Sequence, residues 1–256
     1  MKKYLVLFSQ QFSEFSAYRA HLLITLVEGF ITPLFLIVAL SFARPTSGIT
    51  AASLVPYFLL IAFIYPLIRS RVDEQIDEMT LSGEVNNFLV RPLSFYKFML
   101  TREFSWKLVT LAVVFPFLLL ALMYFSPSGE ISLSLVSVAY AVIASFTAFF
   151  LAFNFSYLIG LTAFWVDEFW ALHNIKHVVF NLLSGVILPY SFFPDWFQNT
   201  LKYSPFYYMT NWPVRILQGQ GSVQQLIPAL IWTAFLGVLV QLVQNAAINK
   251  YSFTGG

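Results

Sequence analysis

Cysteine is absent from the 256 residues, and charge is scarce. Without cysteine the chain forms no disulfide, no thiolate metal site and no thiol nucleophile, whatever compartment it occupies. Asp, Glu, Lys and Arg make up only 10% of the residues, where soluble domains carry about 25%. A Gly-rich phosphate loop closed by Lys-Ser or Lys-Thr is missing, as is any His-Glu-X-X-His zinc motif. The chain therefore carries no apparatus of its own for hydrolysing ATP. Strands of about 10 alternating residues, the mark of an outer-membrane barrel, are missing too.

Hydrophobic residues fill the space instead, at 59% of the chain, with 19% aromatics and a mean hydropathy of +0.74. A helix rising about 1.5 Å per residue needs about 20 apolar residues to cross the hydrocarbon with every backbone group bonded internally. Six stretches meet that need: His21–Phe42, Ser53–Ile68, Trp106–Phe125, Leu133–Trp165, Lys176–Tyr190 and Gln224–Asn245. The expected fold is an all-α membrane protein with six transmembrane helices. The fourth stretch is too long for one upright span and must tilt, kink or run on into the cytosol, whereas the fifth is short.

Lys2 and Lys3 head an apolar run, Tyr4–Phe8, that ends at Ser9-Gln10-Gln11. That run is shorter than a signal core and no small-residue cleavage site follows, so a retained N-terminus is expected. Leu5, Phe8, Phe12 and Phe15 recur at helical spacing, which predicts an amphipathic interfacial helix over residues 1–20, with a plain extension of the first span as the alternative. With six spans both termini share one side. That side holds Lys2, Lys3, Arg19, Arg69, Arg71, Arg91, Lys97, Arg102, Lys107, Lys176 and Lys250, against Arg44, Lys202 and Arg215 on the other. Eleven against three places both termini in the cytosol. Topology accounts for the basic residues, so a net charge of +2 makes no case for nucleic acid.

Residues 69–107 hold 12 of the 26 charged residues. Val72, Ile76 and Met79 form a helical stripe there, with Asp73/Asp77 and Glu74/Glu78 on the remaining surface, so the second span is expected to continue as a helix into the cytosol. Ser82 is a candidate N-cap for a new short helix, Glu84 complements its positive end, and Val85, Phe88 and Leu89 give it one apolar face. Pro92 stops it near Arg91, and Ser94 can cap the helix that follows. Such a surface suits a docked cytosolic partner or, alternatively, an interfacial hairpin.

The run LSGEVNNFLVRPLSFYKF after two spans, and the later LLSGVILPYSFFPDWFQNTLKYSPFYYMTNWPVRILQG, resemble the permease subunits of ATP-binding-cassette exporters of the second, or type-two, class. The likeness covers essentially the whole chain. Gly83, Glu84, Leu89, Pro92 and Leu93 match one family pattern, and Gly185, Pro189, Pro194, Pro205, Pro213 and Gly219 match another. The resemblance implies a single permease domain, residues 1–256, in a bacterial cytoplasmic (inner) membrane. Within it, residues 69–105 would be a cytoplasmic coupling segment meeting the ATPase through Gly83, Glu84, Val85, Phe88, Leu89, Arg91 and Pro92. Residues 190–222 would form a re-entrant outer hairpin between the fifth and sixth spans. Its aromatics fit that placement or an aromatic belt on a surface loop. Pro194, Pro205, Phe206, Tyr207 and Tyr208 would be an outer gate. Glu28, Asn181, Ser184 and Gly185 would face the translocation pathway and the seam with a second permease, identical or related. ATP and Mg would bind the partner ATPase, with no cofactor on this chain, and membrane lipids would surround it.

Read without that likeness, Glu28 inside the first span is either a pathway group or a neutral, hydrogen-bonded one. His173 and His177 can share a helix face, with Asp167 and Glu168 nearby, as a weak metal candidate or as interfacial histidines. These residues keep a self-contained membrane enzyme or proton-coupled carrier as the alternative. A carrier is expected to carry inverted repeats and several intramembrane charges, and neither is visible. Six spans without a repeat are few for a whole pathway, which favours a dimeric exporter. Its substrate would be an amphiphile such as a lipid, drug, peptide or glycan.

Overall fold

The computed structural model describes residues 2–17, 24, 27, 31–39, 51–86, 94–125, 134–166 and 168–254. These residues form helices joined by turns, with no strand among them. Helix α1 covers Lys2–Ala17, α2 Ala51–Ile68, α3 Val72–Leu81, α4 Phe95–Phe125, α5 Leu135–Leu161 and α6 Phe169–Leu183. Then come α7 Asp195–Leu201, α8 Trp212–Leu217 and α9 Leu226–Thr254. Residues 31–39 are also helical. Among the described residues four helical stretches are long and apolar enough to cross a membrane: Leu54–Leu81, which takes in α2, three non-helical residues and α3, then Phe95–Tyr124, Leu135–Phe164 and Val223–Asn249.

Helix α5 is the hub, with α2, α3, α6, α8 and α9 all packed against it. Ala141, Ala144, Ala148 and Ala152 recur every three or four residues and are buried, so one face of α5 lets neighbouring backbones come close. Ser134 caps the helix by accepting the Ser137 N–H at 3.0 Å. Farther along, Gly160 meets α3 so closely that a Cβ there would lie 2.8 Å from Asp73 Cα. Val72, Ile76, Met79, Met99, Phe153 and Tyr157 form one core, and Phe58, Ile61, Tyr207 and Trp212 belong to a second.

The predicted N-terminal helix is present and leans on α4. Phe15 stacks edge-on against Trp106 at 5.2 Å, Phe8 lies 6.4 Å from Phe104, and Tyr4 Oη accepts the Ser94 N–H at 3.2 Å.

Three expectations are corrected. The second span does not run on as one helix: Pro66, inside its last turn, lacks a backbone donor, α2 ends at Ile68, and residues 69–71 are not helical before α3 begins, although Arg69 N–H still reaches Tyr65 O at 2.8 Å. Ser82 is the C-cap of α3 and not an N-cap, because Gly83 takes φ +73°, a left-handed conformation that terminates the helix. The fifth helix occupies Phe169–Leu183 and ends before the stretch 184–189, so it begins and stops earlier than hydropathy places it.

Candidate functional site

A break in a helix leaves carbonyls without donors at one end and N–H groups without acceptors at the other. Between α2 and α3 these groups are matched by side chains from three other helices. Lys107 Nζ, from α4, donates to Pro66 O at 3.0 Å and also to Arg69 O. Ser156 Oγ, from α5, donates to Ser70 O at 3.3 Å, and Lys176 Nζ, from α6, reaches the same carbonyl at 3.4 Å. On the donor side, Arg71 N–H goes to Glu103 Oε1 at 3.2 Å and Val72 N–H to Ser70 Oγ at 3.3 Å. Cations thus sit at the negative end of α2, while Asp73 and Glu74 occupy the positive first turn of α3.

The centre of this arrangement is Asp73, which is wholly buried and not on the surface where helical spacing places it. Its Oδ1 lies 2.6 Å from Lys176 Nζ and its Oδ2 2.7 Å from His173 Nδ1. The other ring nitrogen of His173 lies 3.3 Å from Glu74 Oε1, and Glu74 in turn holds Arg71 at 2.6 Å. His173 therefore bridges two carboxylates of α3 through its two ring nitrogens. Asp167 lies outside the described residues, and among the described residues no group of three or more His, Asp and Glu is placed to hold a metal ion. His177 turns to Asn181, whose amide nitrogen is 3.1 Å from its Nδ1. Residue spacing within the segment could not reveal this knot, since Lys176 and His173 lie about a hundred positions away; Lys176, the one Asp, Glu, Lys or Arg residue of α6, was the available signal.

Of the expected coupling residues, Gly83 sits at the turn that ends α3, Glu84 is exposed and Val85 is buried under it. Phe88, Leu89, Arg91 and Pro92 lie outside the described residues, as does Glu28. Asn181, Ser184 and Gly185 are brought together, all buried inside this chain. Tyr65 Oη donates to Asn181 Oδ1 at 2.7 Å, and Tyr57 Oη to Gly185 O at 2.7 Å. Gly185 adopts φ +85°, where a Cβ would meet Tyr57 Oη at 2.7 Å. Tyrosines thus do for the end of α6 what lysines do for the end of α2, with Tyr190 Oη donating to Leu183 O.

The segment after α6, expected from the sequence to lie on the outer side, packs on the core. Pro194 precedes α7, and Pro205 and Phe206 lead into a π-helical turn at Tyr207–Asn211, a form that widens the helix by one residue and often marks functional sites. Tyr207 and Tyr208 are buried, and Phe206 stands edge-on to Phe155 at 5.4 Å. Tyr208 Oη donates to Lys202 O at 2.8 Å, and Trp232 Nε1 to Tyr203 O at 2.9 Å, so the aromatic ends bond carbonyls of the irregular backbone. A cavity of about 680 Å³ opens beside the α2–α3 break, between α1, α4 and α6.

Neither the curated proteins nor the solved structures compared with the chain gave a match. A family model described as "ABC-2 family transporter protein" matches residues 26–255. That span takes in the pinned break, the α5 hub and the outer segment, and it makes this multi-pass membrane protein a member of the ABC-2 transporter family, a permease of an ABC transporter.

Proposed function

We propose that the chain is the membrane subunit of an ABC exporter in a bacterial cytoplasmic membrane, pairing with a second permease and driven by a separate ATPase that binds ATP and Mg. The observation that carries this reading is the pinned break. A push on the segment from Gly83 to Pro92 cannot be absorbed at residues 69–71, because lysines from α4 and α6 hold that turn, so displacement of α3 passes through Asp73 to α6. Helix α6 leads directly to Gly185 and the outer segment. In this reading the four candidate spans are completed to six by α6 and by a first span that includes residues 31–39, with both termini cytoplasmic. Residues 190–222 then form a re-entrant outer hairpin in which Phe206, Tyr207 and Tyr208 close the exit.

Glu28 and the outward face of α6, where Ile175, Val178 and Leu182 are exposed, are the parts of the subunit proposed to meet the second permease. The substrate is an amphiphile. Co-purification in detergent tests the assembly. A nucleotide-binding subunit should accompany the full chain, and its ATP turnover should drive transport in vesicles. A chain that purifies alone and transports in a proton gradient without ATP overturns the exporter reading.

A further inference from the structure

The cavity beside the break has a charged floor and an apolar wall. Arg71 and Lys107 in its floor are matched by Glu74 and Glu103. Arg69 and Arg102 line it as well, and among the described residues no side-chain hydrogen bond or ion pair reaches either guanidinium, although Arg69 lies 6.0 Å over the Tyr65 ring. Glu14 and Glu78 face the same space. Among the described residues the lining carries Arg and Lys in equal number with Glu, so against these groups a ligand of net charge would leave one sign uncompensated.

One buried acceptor points the same way. Glu103 is 2% exposed, lines the cavity, and its Oε2 has no hydrogen-bond partner, with Lys107 Nζ 3.8 Å away. A buried carboxylate oxygen without a donor is costly, and a ligand N–H or O–H would remove that cost. Above the floor, Phe15, Ile61, Trp106, Val186 and Ile187 supply apolar surface. Ile187 is exposed beside it and marks the side open to lipid. The volume suits a head group with its first methylenes, inside the range of about 300–1,000 Å³ usual for ligand sites.

We propose that this cavity binds the zwitterionic head of an amphiphile drawn from the cytoplasmic leaflet. The anionic group lies on Arg69 and Arg102, where guanidinium geometry fits phosphate, and the ammonium or hydroxyl donor lies on the glutamate side at Glu103. The chain tail leaves past Ile187. That this ligand is the transported substrate rests on the exporter reading above; its binding does not.

Trp106 makes the site observable. The full chain, purified in detergent, is titrated with a single-chain phosphoethanolamine lipid carrying a brominated tail. The same tail on phosphoglycerol and on trimethylammonium gives a net-negative and a net-positive comparison. Quenching of Trp106 is isolated as the difference between the native chain and Trp106→Phe. The phosphoethanolamine lipid should half-saturate at about tenfold lower concentration than either charged lipid, because each of them leaves a buried charge unmatched. Arg102→Ala should erase that preference, and Glu103→Gln should weaken it, in protein whose thermal unfolding is retained.

Equal quenching by all three lipids overturns the proposal, and needs no variant to fold. So does a preference that survives both Arg102→Ala and Arg69→Ala. Glycerophosphoethanolamine, the head without a tail, should fail to protect Trp106; protection at the lipid's own concentration would assign the cavity to a soluble zwitterion and overturn the amphiphile. No ATPase is present in this titration, so a negative result leaves the exporter reading intact, just as failure to recover an ATPase leaves the binding result intact.

Discussion

The carboxylate of Asp73 lies 2.6 Å from the ammonium of Lys176, and the two side chains are sealed between α3 and α6. Removing one partner strands the other charge in a poorly solvated site, a loss of about 3–5 kcal/mol, whereas replacing both by apolar groups is often close to neutral. Asp73→Ala and Lys176→Met should each lower thermal stability in detergent strongly. Asp73→Leu combined with Lys176→Met should recover part of the loss, though not all, since Ser70 O then loses the Lys176 donor. Single variants that melt with the native chain would show that the pair carries no structural weight.

Two glycines in long helices should respond oppositely. A Cβ on Gly160 would lie 2.8 Å from both Asp73 Cα and Ile76 Cδ1, so Gly160→Ala must push α3 away from α5, at a cost of about 1–3 kcal/mol. On Gly237 the nearest atom is Asn154 Nδ2 at 3.9 Å, and Gly237→Ala should be neutral or stabilise by up to about 1 kcal/mol through helix propensity. Melting curves of the two variants, compared side by side, decide the matter; equal behaviour contradicts the close approach of α3 to α5.

Gly185→Ala is opposed twice, by φ +85° and by Tyr57 Oη in the place of the new methyl. The conformational part alone is about 1–2 kcal/mol. Tyr57→Phe removes the hydroxyl that bonds Gly185 O, at about 1–3 kcal/mol for the carbonyl left bare. In the Tyr57→Phe background Gly185→Ala should therefore cost less than it does in the native chain, because the closest steric contact is gone while Asn211 Nδ2 at 3.1 Å and Tyr190 Cδ1 at 3.3 Å remain. Strict additivity in a double-mutant cycle would refute the contact.

Charge reversal at the turn after α3 probes the proposed ATPase contact. Glu84 is exposed beyond the end of α3, and an ion pair formed across an interface is partly desolvated and worth more than one in water. Glu84→Lys and Arg91→Glu should uncouple ATP turnover from transport without reducing the amount of folded permease in the membrane. If substrate still stimulates ATPase activity normally in both variants, the contact lies elsewhere.

Helical periodicity made the buried face of α3 readable, since Val72, Ile76 and Met79 all lie in a core. It misplaced Asp73, because a carboxylate beside an apolar stripe reads as surface until its cations are known, and those cations belong to helices much later in the chain. Ser82 was misread for a local reason. Serine serves either end of a helix, and the glycine that follows it, free to take positive φ, was the signal for a C-terminus. The start of α6 was hidden by His173 and Asn174, which depress hydropathy although they lie within the helix. The α5 stripe of alanines was present in the sequence as a spacing, and its meaning became apparent only with the helices that close on it.

The matched ends of the α2–α3 break also impose an order on biosynthesis. Pro66 O finds its donor 41 residues later, at Lys107, whereas Asp73 waits 103 residues for Lys176. While the ribosome is still making α4 and α5, the nascent chain therefore holds an acid with no counter-ion at the base of its second span. Chains that stall before α6 carry this defect and complete ones do not.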